Sequence, residues 1–235
     1  MEFISLPELS RFKDAYALMQ VWAQTRATDE STDRVLFIEH YPVITRGRGL
    51  QFKTGEETET RERSKPIFTL IPEGVDYAEC ERGGDLTWHG PGQLVMYPII
   101  KINDIAAYIR RLEQVAIDAL EHLYGITGFR IKDSSGVWVK DHYGQDKKIA
   151  SVGIAVRKWV TLHGIAINVV NDPAGFNLIS PCGFKSDVMT RVADFKSEIA
   201  LKPWRAELET ALASFFVNPL SITENPNLEM PTSLI

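Results

Sequence analysis

Cys182 stands in Pro181-Cys182-Gly183, where proline stiffens the chain on one side and glycine opens it on the other. A free cysteine is usually a small buried hydrophobe. These flanks suggest an exposed turn instead, where burial explains little and nucleophilic chemistry is the competing reading. Only the thiolate attacks well, and an unperturbed cysteine has a pKa near ~8.5, so a cation must stabilise it. Lys147 and Lys148 open the apolar run that ends at Val156. By residue type each reads as a solvated strand end, with its stem on apolar surface and its charge in water. Neighbours on a strand point to opposite faces, and the pattern does not choose between the two. His89 and His163 offer another route, a Cys–His pair with imidazole as base, although a histidine in a strand is more often a core or edge residue. Cys80 lies between Glu79 and Glu81, two carboxylates that disfavour its thiolate, and reads as structural.

The densest set of special residues is the stretch from Arg82 to Pro98, RGGDLTWHGPGQLVMYP. Gly83, Gly84, Gly90 and Gly92 remove four Cβ atoms, which permits positive φ and lets a ligand approach the backbone. Arg82, Thr87 and His89 place polar groups around that open backbone. Leu94 to Tyr97 then read as a buried strand that holds the loop. The bland alternative is a tight structural turn.

The whole stretch resembles the RGG-x-x-T-x-H-x-PGQ-L-V-x-YP signature of the lipoyl(octanoyl) transferases, relatives of the lipoate and biotin protein ligases. Further blocks resemble the same family in order: Glu39 to Gly47 as E-H-x-P-V-x-T-x-G, Lys148 to Gly153 as K-I-A-x-x-G, Thr161 to Asn168 as T-x-H-G-x-A-x-N, and Pro181-Cys182-Gly183 as P-C-G. The resemblance spans roughly residues 39 to 184, and Trp88 fills a variable motif position. Arg46-Gly47-Arg48-Gly49 also looks superficially like the glycine-arginine loop of biotin ligases.

The resemblance implies that octanoyl is moved from octanoyl-acyl carrier protein to a lysine of lipoyl domains. Those are the domains of 2-oxoacid dehydrogenase complexes and the glycine cleavage H protein. It implies Cys182 as the nucleophile and selects Lys148, over Lys147, as the residue that lowers its pKa. It further implies that three segments bracket the acyl chain: Arg82, Gly83, Gly84, Asp85, Leu86, Thr87, Trp88 and His89; Ser151, Val152 and Gly153; and Gly164, Ile165 and Ala166. His163 is expected to support the site. The amide product lies downhill from a thioester, so neither ATP nor any cofactor is expected. The rival reading is an ATP-dependent lipoate- or biotin-protein ligase, which activates a free acid and needs no nucleophilic cysteine.

The elements that must position these residues follow from periodicity. Glu8 to Thr25 reads as a helix, with Leu9, Phe12, Tyr16, Met19 and Ala23 on one face. Asn103 or Asp104 caps a second helix, stopped by Gly125, with His122 facing its carboxyl-terminal dipole. Arg34 to Glu39, Ile67 to Ile71, Val75 to Ala78, Phe129 to Lys132 and Gly136 to Lys140 read as strands. The runs beginning at Lys147 and Trp159 read as a hairpin. Its small residues, Ala150, Ser151, Gly153, Ala155, Gly164 and Ala166, leave space either for a thin lipid chain or for close packing of a helix. Residues 50 to 66 are polar and read as a mobile surface loop. Ser186 to Phe195 reads as a helix, as does the segment from Pro203 to Val217, with Leu208, Leu212 and Phe215 inward.

The fold that the resemblance implies is α+β, a mixed, mainly antiparallel sheet flanked by helices, biotin/lipoate protein ligase-like. One catalytic domain is expected over 1–235, with a core of about 30–218 and a loosely held tail from about 219. No apolar run reaches transmembrane length, and Met1 to Ser5 lacks the regions of a signal peptide. Two cysteines make no disulfide framework, which fits a reducing cytoplasm. No Cys/His spacing suits zinc or another metal. The net charge of −5 argues against nucleic acid as partner. Docking an acidic carrier then needs a local basic patch drawn from Arg46, Arg48, Lys53, Arg130, Lys132, Arg157 and Lys158.

Overall fold

A computed structural model describes residues 1–49, 51–54, 57–60, 71–179 and 188–218. In chain order the elements are β1 (Glu2–Ser5), α1 (Phe12–Ala27), β2 (Arg34–Ile38), β3 (Val43–Gly49), β4 (Gln51–Thr54), β5 (Glu57–Thr60), β6 (Asp76–Glu79), β7 (Gly84–His89), β8 (Gln93–Ile99), α2 (Ile105–Tyr124), β9 (Phe129–Ile131), β10 (Ser134–Lys140), β11 (Asp146–Arg157), β12 (Val160–Asn168) and α3 (Trp204–Val217). The main sheet has seven strands in the order β1-β2-β8-β12-β11-β10-β9. Every neighbour is antiparallel except β1, which runs parallel to β2. A second sheet, β6-β3-β7, carries the glycine-rich stretch.

The two faces of the main sheet are read from alternation along its central strands. Leu94 and Met96 point to one face, with Val35, Phe37, Ile165 and Ile167, and meet Leu112, Val115 and Ala119 of α2 and Leu208 and Leu212 of α3. Val95 and Tyr97 point to the other face, with Leu36, Ile38, Leu162 and Ala166, and meet Ala15, Met19 and Ala23 of α1. Every residue of β8 is therefore buried, as its unbroken apolar run foretells. Asp104 caps α2 through the Ala107 N–H at 2.9 Å, and Gly125 ends it in the left-handed conformation, both as read from sequence.

Several elements depart from the sequence reading. The helix expected from Glu8 starts at Phe12, and Ala15 takes the inner position assigned to Tyr16. β4 and β5, within the stretch 50–66 expected as loop, pair as antiparallel strands. β1 was not foreseen; its pairing with β2 supplies the stabilisation that four isolated residues lack. The expected strand from Ile67 lies outside the described residues up to position 70. The helix expected over 186–195 is absent from its described part. That part holds a bridge from Met189 to Lys148 and a 3-10 turn over Val192–Asp194. There the Asp194 carboxylate accepts from the Thr190 hydroxyl and the Arg191 N–H, a local competition with helix formation. In α3 the innermost aromatic is Phe216, with Phe215 only partly buried. The tail from 219 lies outside the described residues.

The β12–β8 ladder breaks around Pro98, which has no N–H to give. Thr161 bridges the gap: its hydroxyl donates to Pro98 O at 2.7 Å and accepts from Ile100 N at 3.1 Å. At the same place His163 takes a left-handed φ of 62°. Gly164 approaches β8 so closely that a Cβ would overlap Met96 O and sit 2.9 Å from Pro98 Cδ. What requires the small residue at Gly164 is the neighbouring strand β8, which neither reading of the small residues named. Gly164→Ala should therefore destabilise the protein by about 1–3 kcal/mol, the cost of overpacking a filled core. Urea unfolding measures this, and an unchanged midpoint would contradict the close approach.

Candidate active site

α1 covers only part of its face of the main sheet. Over the remainder sits the β6-β3-β7 sheet as a roof, and between them lies a cleft that opens to solvent. Its floor is Val95 and Tyr97 of β8, Gly164, Ile165 and Ala166 of β12, and Ser151, Val152 and Gly153 of β11. Its roof is Arg82, Gly83, Gly84, Leu86, Thr87 and His89. Phe12, His163, Lys148, Val188 and Met189 complete the lining. Two residues of the bracketing segments do not line it. Trp88 lies on the opposite face of β7 from Thr87 and His89, edge-on to Phe176, with Gly90 and Gly175 leaving room for its ring. Asp85 lies near Arg46, with 3.8 Å between Oδ1 and Nε. Strand alternation turned Trp88 outward in a segment that reads from sequence as a loop.

Arg82 fixes the roof. Its Nη2 donates to Thr45 O at 2.7 Å and Thr45 Oγ1 at 2.9 Å, and Nη1 to Gly83 O at 3.0 Å. Gly83 N then donates to Ile154 O at 2.9 Å, which ties the roof to β11. A Cβ on Gly153 would meet Arg82 Cδ at 3.2 Å, and one on Gly47 would overlap Gly84 O. Of the four glycines expected to allow positive φ, Gly84 (76°) and Gly92 (83°) use it. Gly92 N donates to the Glu39 carboxylate at 2.7 Å, which anchors the turn into β8.

Lys148 reaches the cleft through a β-bulge. Val137 pairs with Ala150 and Trp138 with Lys148, so Ile149 is an extra residue on β11. By plain alternation Lys148 would face away from Ser151 and Gly153. The bulge shifts the phase by one. Ile149 and Ala150 consequently both enter the core beneath α2, and Lys148 joins Ser151 and Gly153 at the cleft. The lysine is 7% exposed, with Nζ 5.5 Å from the Trp138 ring centre. Arg82 lies over Gly153, five residues further along β11, so an apolar cleft carries a cation toward each end.

Three buried histidines stand beside this cleft. His89 Nδ1 lies 2.6 Å from Gln93 Oε1. Gln93 spends its amide N–H groups on Trp88 O and Asn168 Oδ1, and Asn168 donates to Thr190 O at 3.0 Å. Nδ1 of His89 is therefore the donor, and Nε2 is left as an acceptor. His40 lies 2.9 Å from the Tyr97 hydroxyl and 3.1 Å from Ser10 O. His163, 2% exposed, stacks on Phe12 and Tyr16, and its Nε2 has no hydrogen-bond partner among the described residues. Desolvation lowers all three: His40 to about 4, and His89 and His163 to about 3. Neighbouring positive charge adds to this, chiefly His40 for His89 and Arg82 for His163. They are neutral polar groups and poor proton acceptors. Thr45, Gly47, Gln93, Asn168 and Tyr97 were assigned no role from sequence. All five stood inside quoted motifs, and Tyr97 inside the expected strand as well, so the signal was there.

Cys182 lies outside the described residues, as do Pro181 and Gly183. Cys80 is half-buried, and burial, ahead of Glu81, pushes its thiol up. Among the expected docking cations, Arg130 is paired with Glu113 and Arg157 with Glu81, while Arg48, Lys132 and Lys158 are exposed. The side chain of Lys53 lies outside the described residues. Among the described residues no acidic, cysteine or histidine cluster could hold a metal, and no helix is long and apolar enough to cross a membrane.

The neutral histidines set a pH dependence. An unfolded imidazole titrates near 6.5, whereas these stay neutral to about 4 or below. Between those values the unfolded chain binds more protons, so stability is lost as pH falls from 6.5 toward 4. Urea midpoints should drop between pH 7 and pH 5, and His163→Gln should flatten the slope. A midpoint constant over that range would refute the neutral cluster.

The architecture and the chain have clear relatives. The lipoyl protein ligase A/B catalytic domain family matches residues 12–213. An octanoyltransferase of Thermosynechococcus vestitus is 35% identical over 94% of this chain and 93% of its own length. One from Rickettsia prowazekii is 34% identical over 92% and 99%. Among solved structures, a putative lipoate protein ligase from T. acidophilum with bound lipoic acid superposes with a TM-score of 0.61 at 18% identity, covering 92% of this chain and 84% of that one. A lipoate-protein ligase A bound with ATP gives 0.55 at 14% identity, covering 93% and 95%. The mixed sheet with flanking helices is thus the lipoate protein ligase fold, and by sequence the chain belongs to the octanoyltransferases of the lipoyl protein ligase A/B family.

Proposed function

We propose that this acyltransferase moves octanoyl from octanoyl-acyl carrier protein, through a thioester on Cys182, to a lysine of lipoyl domains. The acceptors are the lipoyl domains of 2-oxoacid dehydrogenase complexes and the glycine cleavage H protein, and the reaction is cytoplasmic. The observation that carries this reading is Lys148, a buried ammonium in an apolar cleft walled by all three family segments. Such a cleft takes an unbranched acyl chain, and its cation meets the charge that acyl transfer develops. Ile179 and Val188, the described residues flanking the P-C-G block, both pack in the cluster of Leu86, Trp88 and Phe176 beside the cleft.

In the first step the Cys182 thiolate attacks the thioester carbonyl. The carbonyl–sulfur bond to the carrier breaks, and the departing thiolate takes a proton, supplied by Lys148. In the second step the neutral amine of the acceptor lysine attacks octanoyl-Cys182. The amide forms, the Cys182 thiolate leaves, and the amine proton returns to Lys148. One thioester is exchanged for another and then for a more stable amide, so no ATP enters. The three histidines orient and desolvate, since a neutral imidazole with so low a pKa takes up a proton poorly.

Incubation with octanoyl-acyl carrier protein alone should add one octanoyl mass to the Cys182 peptide, and Cys182→Ala should abolish it. An unmodified peptide would refute the acyl-enzyme. Lys148→Ala should lower kcat by about 10²–10⁴-fold, the usual contribution of a positioned acid–base group. Activity with free octanoate and ATP that survives Cys182→Ala would establish the ligase alternative instead.

A further inference from the structure

A lysine ammonium sits on four flexible carbons, and a reacting group must be held to one place. Part of what holds Lys148 is on β10. Gly136 there has φ of +126°, a conformation hostile to side chains. A Cβ at this position would overlap Ala150 O and lie 2.7 Å from Lys148 Cε. The bare backbone of Gly136 thus forms one wall of the lysine's channel, and the Trp138 ring forms another.

Gly136 is itself held from α2. Its N–H donates to Glu113 Oε1 at 2.9 Å. Glu113 is fully buried, and its Oε2 accepts from Arg110 Nη1 at 2.7 Å and Arg130 Nε at 3.1 Å. Arg130 is fixed in turn by Gln114 Oε1 at 2.7 Å and Arg110 O at 3.2 Å. A buried carboxylate with two guanidinium partners is a poor device for stability alone, because apolar packing of the same volume serves as well or better. Glu113 stands on the inner face of α2 between Leu112 and Val115, where an apolar residue fits the pattern. Its one oxygen not engaged by arginine goes to the peptide beside the lysine stem.

We propose that Glu113 is a positioning residue for Lys148, acting through the Gly136 peptide. The consequence for octanoyl transfer rests on the function proposed above; the coupling of the two side chains does not.

Timed acylation with an N-hydroxysuccinimide ester, read by peptide mass spectrometry, tests it, with exposed Lys140 as internal reference. Glu113→Asp withdraws the oxygen from Gly136 and keeps a charge beside the arginines; Gly136→Ala fills the channel directly. In both, provided circular dichroism shows a folded protein, Lys148 should be labelled about tenfold faster than in wild type, as a protected group becomes accessible. Glu113→Gln keeps an acceptor for the Gly136 N–H and should restore slow labelling. Octanoyl transfer by the two disrupted variants should fall about 10²-fold in kcat, as for a misplacement near 1 Å. Wild-type labelling of Lys148 in folded Glu113→Asp or Gly136→Ala overturns the proposal. If labelling changes as expected while Lys148→Ala transfers octanoyl normally, the coupling stands and the role of Lys148 in the reaction falls.

Discussion

The roof of the cleft depends on Arg82. Its guanidinium is buried, has no carboxylate partner among the described residues, and donates to the carbonyl and hydroxyl of Thr45 and to Gly83 O. Those oxygens are neutral, and the Arg82 charge adds to desolvation in keeping His89 and His163 neutral. The same arrangement brings Gly83 N to Ile154 O, a backbone hydrogen bond that ties the roof to the main sheet. Fold and electrostatics share one side chain here. The glycines follow from it: Gly47 and Gly153 are the two places where a methyl group would push the arginine or its neighbours off β3 and β11.

At the other end of the cleft the constraint is phase. A strand shows alternate residues to one face, so a site built on adjacent segments of β11 would ordinarily lose Lys148 to the core side. The single-residue bulge at Ile149 reverses this locally. Two apolar neighbours go inward together and the lysine goes outward to the cleft. The arrangement costs one unpaired position in the ladder. The interruption at Pro98 acts similarly on β12. The missing N–H relaxes the ladder, Thr161 repairs it with its hydroxyl, and His163 turns over the cleft with a left-handed backbone.

Around these irregular points the rest is regular. α2 and α3 cover one face and α1 covers part of the other, which leaves the uncovered part as the binding cleft. Polar groups at its edge are chained together from His89 through Gln93 and Asn168 to Thr190, and Thr190 N donates to Lys148 O at 3.0 Å. Floor, roof and lysine are therefore parts of one hydrogen-bonded unit, which gives the site its rigidity.

The sequence by itself determined the elements whose signals are local. Periodicity and caps located α2 to within a residue, and the apolar run of β8 and the β11–β12 hairpin followed from alternation and composition. The motif resemblance picked out Lys148 and the three segments that were to surround the ligand. Only the tertiary structure decided what depends on partners distant in sequence. β1 exists because β2 lies beside it, and β4 and β5 because two polar strands pair. Trp88 turns away from the cleft because a presumed loop is a strand. Lys148 faces Ser151 because β10 imposes a bulge that no single strand encodes. Periodicity reports one segment's preference between two faces; which face is a cleft, and where the phase slips, is settled by the strand and helix packed against it.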